Sequence, residues 1–209
     1  MNPLVTSFLV GALLGSIPAA WVLVRLISRQ DLASSGSSNV GALNALRVSR
    51  SKWVGVLVLV FDALKGASAV LLGGWIAHKT GADLLSMQGA GAIGAVAGHN
   101  YNPWLSLAAR RLVGGKGFAA AAGAMLAFLP WLVPIWLGLG LLAWFFFRAW
   151  RRITDEAPAT AFAIVAVIPA AGLIYGPKAA LISAAIAALV LPRLLREVRR
   201  YLFPPASGA

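Results

Sequence analysis

Long apolar stretches constrain this chain more than any other feature of its sequence. Seven of them are separated by polar or turn-forming residues, and they run from Pro3 to Ile27, Trp53 to Ala77, Leu84 to Gly98, Phe118 to Leu129, Trp131 to Trp150, Pro158 to Tyr175 and Lys178 to Leu195. A helix needs about 20 apolar residues to cross a hydrocarbon layer of roughly 30 Å. The stretches predict an all-α polytopic membrane protein with about seven transmembrane helices. The third and fourth are short, so they must be tilted, buried in the bundle or partly re-entrant.

Composition excludes the other broad classes of protein. The chain is 60% hydrophobic and 11% charged, whereas soluble domains carry roughly 25% charged residues. A water-soluble fold and a disordered chain are both excluded on this basis. The absence of cysteine excludes disulfides, thiolate metal sites and a cysteine nucleophile. Because Met1 to Val24 lacks a basic leading region, we expect a retained first span, and residues 1–209 are predicted to form a single integral membrane domain.

The distribution of charge predicts the topology. Lys and Arg total 18 against 6 Asp and Glu, which gives a net charge of +12. With seven spans and the N-terminus outside, every Lys and Arg except Lys65, Lys79 and Lys178 falls on the face that carries the C-terminus. Basic residues collect in cytoplasmic loops, so that face is predicted to be cytoplasmic. The charge then reports topology, and no nucleic-acid partner is expected.

A six-span alternative is also possible. Pro130 and Pro134 would then kink one long helix from Phe118 to Phe147. That arrangement would leave the basic cluster from Arg148 to Arg152 outside, so the charges favour seven spans.

The first cytoplasmic loop, from Ser34 to Arg47, is rich in Ser and Gly and ends in Asn and Arg residues. Glycines let backbone N–H groups approach a phosphate, Ser and Asn supply neutral donors, and Arg pairs with two phosphate oxygens. The alternative is a flexible Ser/Gly linker followed by an ordinary basic residue.

The second cytoplasmic loop runs from Gly98 to Gly117 and ends in Gly114-Gly115-Lys116-Gly117, directly before a predicted helix. Free N–H groups at a helix N-terminus and a lysine ammonium together favour an anion. The spacing is not that of a nucleotide-binding P-loop, because Arg110 and Gly117 stand where that motif needs Gly and Ser or Thr. His99 in this loop is either a general base or a hydrogen-bonded residue at a helix end.

Asp62 and Lys65 lie three residues apart inside the second apolar stretch, where unpaired charge is costly. We expect the two to neutralise each other. Two interpretations remain open: a polar post that faces a site, and an ion pair that only stabilises the structure.

Several motifs resemble those of the bacterial acyl-phosphate-dependent glycerol-3-phosphate acyltransferases, over about residues 10 to 130. The matching segments are Asp31-Leu32, Gly36 to Ala42 with Asn44 and Arg47, Gly55-Val56-Leu57, Asp62 to Gly66, Gly98-His99 with Tyr101 and Pro103, and Gly114 to Gly117. The resemblance implies an enzyme of the bacterial cell membrane that moves an acyl group from acyl phosphate to the 1-hydroxyl of glycerol 3-phosphate, giving lysophosphatidic acid and phosphate for phospholipid synthesis. The expected partners are acyl phosphate, glycerol 3-phosphate and membrane lipid.

The resemblance also assigns candidate site residues. The predicted catalytic residues are Lys116, Arg47, Ser37 and His99, and the predicted substrate-binding residues are Gly36, Ser38, Asn39, Gly41, Asn44, Gly114, Gly115 and Gly117. Acyl phosphate already carries a good leaving group, so we expect direct attack by the glycerol hydroxyl on the acyl carbon. The proton goes either to a phosphate oxygen of the donor or to His99. No cofactor and no metal are expected.

The sequence departs from the family pattern at defined places. Ser38 stands where the family has Gly, Leu43 stands where it has Thr, and residues 104–113 are longer than the corresponding stretch. The third family motif, a Ser-containing segment after a basic cluster, corresponds here to Thr154 to Pro158, and the family's His and Asn near the last helix find no match around Leu194 and Glu197. Two alternatives therefore stay open: a transporter of a phosphorylated solute and a catalytically weakened membrane paralogue.

Overall fold

Every regular element in the described part of the chain is an α-helix. The computed structural model describes residues 1–151 and 157–202. The helices are α1 (Pro3–Gly15), α2 (Ala19–Ser28), α3 (Ala42–Ser49), α4 (Lys52–Thr80), α5 (Leu84–Asn100), α6 (Pro103–Ala109), α7 (Phe118–Phe128), α8 (Leu132–Arg151), α9 (Ala157–Tyr175) and α10 (Pro177–Leu202).

The first apolar stretch forms two helices rather than one. α1 ends at Gly15, and α2 begins at Ala19 after Pro18. A proline inside a helix lacks the N–H for the backbone bond, and its ring collides with the preceding turn. Pro18 therefore breaks the first span, and the carbonyl groups before the break need partners from elsewhere in the protein.

Five segments are long and apolar enough to cross a membrane within the part of the chain that the structure describes. They are Pro3–Ser28, Lys52–Thr80, Leu132–Ala149, Ala157–Tyr175 and Pro177–Leu195. α5 has 17 residues and α7 has 11, so the prediction that the third and fourth apolar helices are short is confirmed. α7 ends at Phe128 and α8 begins at Leu132, so the single kinked helix from Phe118 to Phe147 that the six-span alternative requires does not form.

The first compact unit comprises residues 1–128 and contains α1 to α7. α5 lies at its centre, packed against α1 and α4, while α7 packs against α4 and α5. The backbones touch where glycines line the helices: a Cβ on Gly11 would overlap the carbonyl oxygen of Gly91, and one on Gly94 would overlap that of Phe8. Such close approach is the usual basis of helix association in membranes.

The glycine contacts also fix the helix directions. Gly11 and Gly15 of α1 lie against Gly91 and Ala95 of α5, so these two helices run the same way. Gly73 of α4 lies against Met87, and Ala69 of α4 lies against Gly91, so α4 and α5 run in opposite directions.

Two exposed tryptophans on α4 have the spacing expected for the two edges of a membrane. Trp53 and Trp75 are 76% and 58% exposed, and they lie about 33 Å apart along the helix, close to the thickness of a hydrocarbon core. Asp62 lies about 14 Å from the level of Trp53. α5 ends beside Asp62, because His99 in its last turn contacts that carboxylate. α5 therefore ends beside the first half of α4 rather than at its N-terminal end.

The second compact unit, residues 129–209, is described through α8, α9 and α10. α9 packs against both α8 and α10. The backbone N–H of Trp131, just before α8, donates a hydrogen bond of 3.2 Å to the hydroxyl of Tyr175 at the end of α9.

We predict that Gly94→Ala destabilises the protein and Gly74→Ala does not. A methyl group on Gly94 overlaps the backbone of α1, so the two helices must separate, at a cost of about 1–3 kcal/mol. At Gly74 the nearest atom outside the helix backbone, Nε2 of Gln88, would lie 3.4 Å from the new methyl group. Alanine is the better helix former, so Gly74→Ala should leave stability equal or raise it by up to about 1 kcal/mol. Unfolding in detergent measures the stability of both variants. Equal destabilisation by the two substitutions would contradict the close packing of α1 against α5.

Candidate active site

The first loop is organised by the side chain of Asn44, which is 1% exposed. Its Oδ1 accepts a hydrogen bond from the backbone N–H of Ser37 at 2.9 Å. Its Nδ2 donates to the carbonyl groups of Ser35 at 3.0 Å and Asn39 at 2.9 Å. Asn44, predicted to bind substrate, therefore folds the loop around itself, and Ser37 is left with its side chain exposed.

Two residues of this loop adopt left-handed backbone conformations. Gly36 has φ of 60° and Ser38 has φ of 57°. A Cβ on Gly36 would overlap Oδ1 of Asn44, so only glycine fits there. At Ser38 the strain is tolerated, although a residue with a side chain pays roughly 1–2 kcal/mol for this conformation. The left-handed backbone at position 38 explains why the family pattern has glycine there.

The second loop contacts the first through the backbone. The N–H of Val40 donates to the carbonyl oxygen of Gly114 at 3.3 Å, and the N–H of Gly115 donates to that of His99 at 3.0 Å. A Cβ on Gly115 would overlap the imidazole of His99. The two loops that the sequence suggests for phosphate therefore lie side by side in the first unit.

The predicted cations flank these loops. Arg47 is exposed in the last turn of α3, and Gly41 is the residue before that helix. Lys116 is partly exposed between the buried Gly115 and Gly117, directly before α7. Gly117 has φ of 83°, a conformation that suits glycine, and its Cβ would lie 2.5 Å from Oδ1 of Asn100.

A buried polar cluster lies beneath the loops. Nζ of Lys65 lies 2.8 Å from Oδ1 of Asp62, and Nδ1 of His99 lies 3.5 Å from the same oxygen. Lys65 also donates to the carbonyl oxygen of Ile17 at 3.3 Å, at the break between α1 and α2. The sequence predicts the pairing of Asp62 with Lys65, but gives no sign that His99 and the broken helix join it.

A small, partly open cleft ends on this cluster. Residues from the break, the polar cluster and both loops line it: Ile17, Pro18, Ala19, Ala20, Val40, Asp62, Lys65, His99, Asn102 and Gly114. The cleft joins the ion pair to the glycine loop, which favours the interpretation of Asp62 and Lys65 as a polar post that faces the site. Among the side chains that the structure describes, those of residues 1–149 and 157–195, no three His, Asp or Glu come together to hold a metal ion.

Asn102 also lines the cleft, and the sequence did not single it out. Its Nδ2 donates to the carbonyl oxygen of Ser16 at 2.7 Å, and its Oδ1 accepts from the N–H of Leu105, which caps α6. Its backbone N–H donates to the carbonyl oxygen of Val113 at 3.0 Å. The available signal was the Asn-Pro pair, which is typical of a helix start.

The third-motif segment lies partly outside the described residues. Thr154 to Glu156 belong to the stretch that the structure does not describe, whereas Ala157 and Pro158 begin α9 and are buried. Leu194, near which the family's His and Asn find no match, is 1% exposed.

Comparisons with known proteins point to one family. The profile of the glycerol-3-phosphate acyltransferase family matches residues 5–203. A glycerol-3-phosphate acyltransferase of Allorhizobium ampelinum is 32% identical over 97% of this chain and 90% of its own length. One from Syntrophotalea carbinolica is 43% identical over 66% of this chain, and the alignment covers 63% of that relative.

A solved structure shares the fold. The crystal structure of PlsY, an integral membrane glycerol 3-phosphate acyltransferase, in its glycerol 3-phosphate form superposes with a TM-score of 0.73. The two are 28% identical, and the match covers 95% of this chain and 92% of PlsY. The lysophosphatidic acid form of PlsY gives a TM-score of 0.72.

The helices and the paired loops thus define a multi-pass membrane protein with a site suited to phosphate groups. The chain belongs to the glycerol-3-phosphate acyltransferase family.

We predict that Ser38→Gly stabilises the protein. Glycine adopts the left-handed conformation at position 38 without strain, which should raise the free energy of unfolding by about 1 kcal/mol. Ser37→Gly is the matched control, because Ser37 is not in that conformation and should lose stability or stay unchanged. Unfolding of both variants in detergent tests this, and a destabilised Ser38→Gly would contradict it.

Proposed function

We propose that this chain transfers a fatty acyl group from acyl phosphate to the 1-hydroxyl of glycerol 3-phosphate. The observation that carries the proposal is the hydrogen bond from Val40 to Gly114, which joins the loop before Arg47 to the loop that contains Lys116. Two phosphorylated substrates have to meet in this reaction, and two loops suited to phosphate meet here. Membership of the family supports the same conclusion.

The acceptor and the product follow from the relatives. PlsY is described in a glycerol 3-phosphate form and in a lysophosphatidic acid form. We assign glycerol 3-phosphate to this chain as the acceptor and lysophosphatidic acid as the product, with acyl phosphate as the donor and the membrane as the source of that donor.

The chemistry is a direct displacement. The 1-hydroxyl oxygen attacks the acyl carbon, the bond from that carbon to the phosphate oxygen breaks, and phosphate leaves. The hydroxyl proton goes to a phosphate oxygen of the donor or to His99. His99 is 6% exposed, with Nδ1 directed at Asp62, which favours the donor oxygen.

The residues divide into charged and neutral groups. We assign Arg47 and Lys116 to the substrate phosphates, because Arg47 follows the first loop and Lys116 lies among the glycines that end the second. The side chains of Ser37, Ser38 and Asn39 complete the cradle. The loop glycines let the backbone come close to a phosphate, and they are Gly36, Gly41, Gly114, Gly115 and Gly117. The N–H groups of Ser37 and Gly115 are already bonded within the protein and hold the loops in shape. Asn44 supports this cradle through its bonds to the loop backbone.

The orientation belongs to the same proposal. With the N-terminus outside, both loops and the C-terminus face the cytoplasm, where glycerol 3-phosphate is available. The one-sided distribution of Lys and Arg supports this orientation. The family profile extends from residue 5 to residue 203, which supports a single membrane domain.

Lys116→Ala is expected to reduce phosphate release by about 100-fold or more, because removal of one charge-stabilising donor typically has that effect. The purified chain is given palmitoyl phosphate and glycerol 3-phosphate, and released phosphate is followed. Lys79→Ala, an exposed lysine in the last turn of α4, is the control and should retain full activity. A folded wild-type chain that releases no phosphate with several donors and acceptors would refute the proposal and favour a catalytically weakened paralogue.

Arg47→Lys is expected to raise KM for one of the two phosphorylated substrates about tenfold. Lysine keeps the charge but cannot pair with two phosphate oxygens at once, and loss of one such bond costs about 1.4 kcal/mol. Arg50→Lys is the matched control, because Arg50 is exposed and follows the same helix. Equal KM values in the wild type and in Arg47→Lys, for both substrates, would show that Arg47 does not bind a substrate phosphate.

A further inference from the structure

The stretch from Pro103 to Val113, which we term the α6 segment, has one side fixed to the protein. Leu105 and Val113 are 7% and 1% exposed and belong to the hydrophobic cluster around Val24 and Leu32. The Ser106 hydroxyl accepts a hydrogen bond from the N–H of Val113 at 3.0 Å. These contacts join the start of the segment to its end. They hold the segment against the protein, so the side chains on its other side keep a fixed direction.

The opposite side of the segment is apolar and exposed. Trp104, Leu107 and Leu112 are 56%, 76% and 69% exposed. Arg110 stands at the turn with φ of 50°. Within the part of the chain that the structure describes, its guanidinium group makes no hydrogen bond and no ion pair.

The contacts of the segment set its depth. It begins at the break in the first span, where Nε1 of Trp104 donates to the hydroxyl of Ser16 at 2.9 Å. Its turn lies beyond the far end of α2, where the guanidinium of Arg111 donates to the carbonyl oxygen of Ala33. α2 is about 15 Å long, close to the distance of about 14 Å between the levels of Asp62 and Trp53 along α4. The segment therefore rises from inside the membrane to its surface and returns to Gly114.

We propose that the α6 segment is a lipid-binding surface in the leaflet on the side of Trp53. Its apolar side chains lie against acyl chains, and Arg110 binds the phosphate group of an anionic phospholipid. Segments that lie at the boundary between headgroups and acyl chains typically expose Trp and Leu side chains beside an Arg. An arginine at that level attracts anionic headgroups and pairs with phosphate oxygens.

The first experiment measures depth. The chain has no cysteine, so the single variants Leu107→Cys and Leu112→Cys carry one nitroxide label each in vesicles of phosphatidylcholine and phosphatidylglycerol. Both labels should be more accessible to oxygen than to an aqueous nickel chelate. Leu59→Cys on α4 is the lipid-facing control, and Gln30→Cys in the loop after α2 is the water-facing control.

The second experiment measures lipid selectivity. A fluorophore on Ala108→Cys is quenched by nitroxide-labelled phosphatidylglycerol or by nitroxide-labelled phosphatidylcholine. The anionic quencher should be favoured about fivefold, as expected for about 1 kcal/mol from one basic residue near the surface. Arg110→Gln should lose that preference. Arg29→Gln is the control and should keep the preference for the anionic lipid. Like Arg110, Arg29 is exposed and has a left-handed backbone conformation directly after a helix, but it lies outside the segment.

The outcomes are decisive in both directions. Nickel accessibility at positions 107 and 112 equal to that at position 30 would overturn the proposal, as would labels shielded from both reagents by a protein partner. Equal quenching by the two lipids in the wild type would overturn the role of Arg110, and so would an equal effect of Arg29→Gln. Both readouts are independent of catalytic activity, so they stand apart from the proposed function.

Discussion

The hydrogen bonds that Lys65 and Asn102 donate to the carbonyl groups of Ile17 and Ser16 support the rest of the first unit. Inside a membrane, a broken helix exposes backbone carbonyls that water does not reach, and each unsatisfied group costs several kcal/mol. Lys65 is itself neutralised by Asp62, so the buried charge is compensated. Because this break has internal partners, the first span can change course and leave room for a cleft.

The same network sets the position of the glycine loop. Asp62 contacts His99 at the end of α5, and His99 binds Gly115 through its carbonyl oxygen and packs against it with its imidazole. Val40 then connects the first loop to Gly114. A disturbance of the buried ion pair would therefore reach both loops, although neither of its members belongs to them.

The sequence was informative about the fold because apolar stretches and turn residues follow directly from the requirements of a membrane. The all-α membrane fold, the short α5 and α7, and the family assignment are confirmed. The break after Gly15 was missed, because hydropathy counts Ile17 and Pro18 as part of one apolar run. The function of Asn44 as the organiser of the first loop was also missed, since a polar residue beside a phosphate-like motif looks the same in the sequence whether it contacts substrate or backbone.

The depth of the cleft has an electrical consequence. A polar site that reaches about 14 Å into a membrane of about 33 Å leaves about 19 Å of apolar protein beneath it. The contacts of α1, α4 and α5 in that layer are backbone to backbone, at Gly11 with Gly91 and at Gly73 with Met87. An ion that crossed this layer would have to leave water for apolar protein, which is costly. The small residues that join these helices therefore also separate the polar site from the opposite side of the membrane.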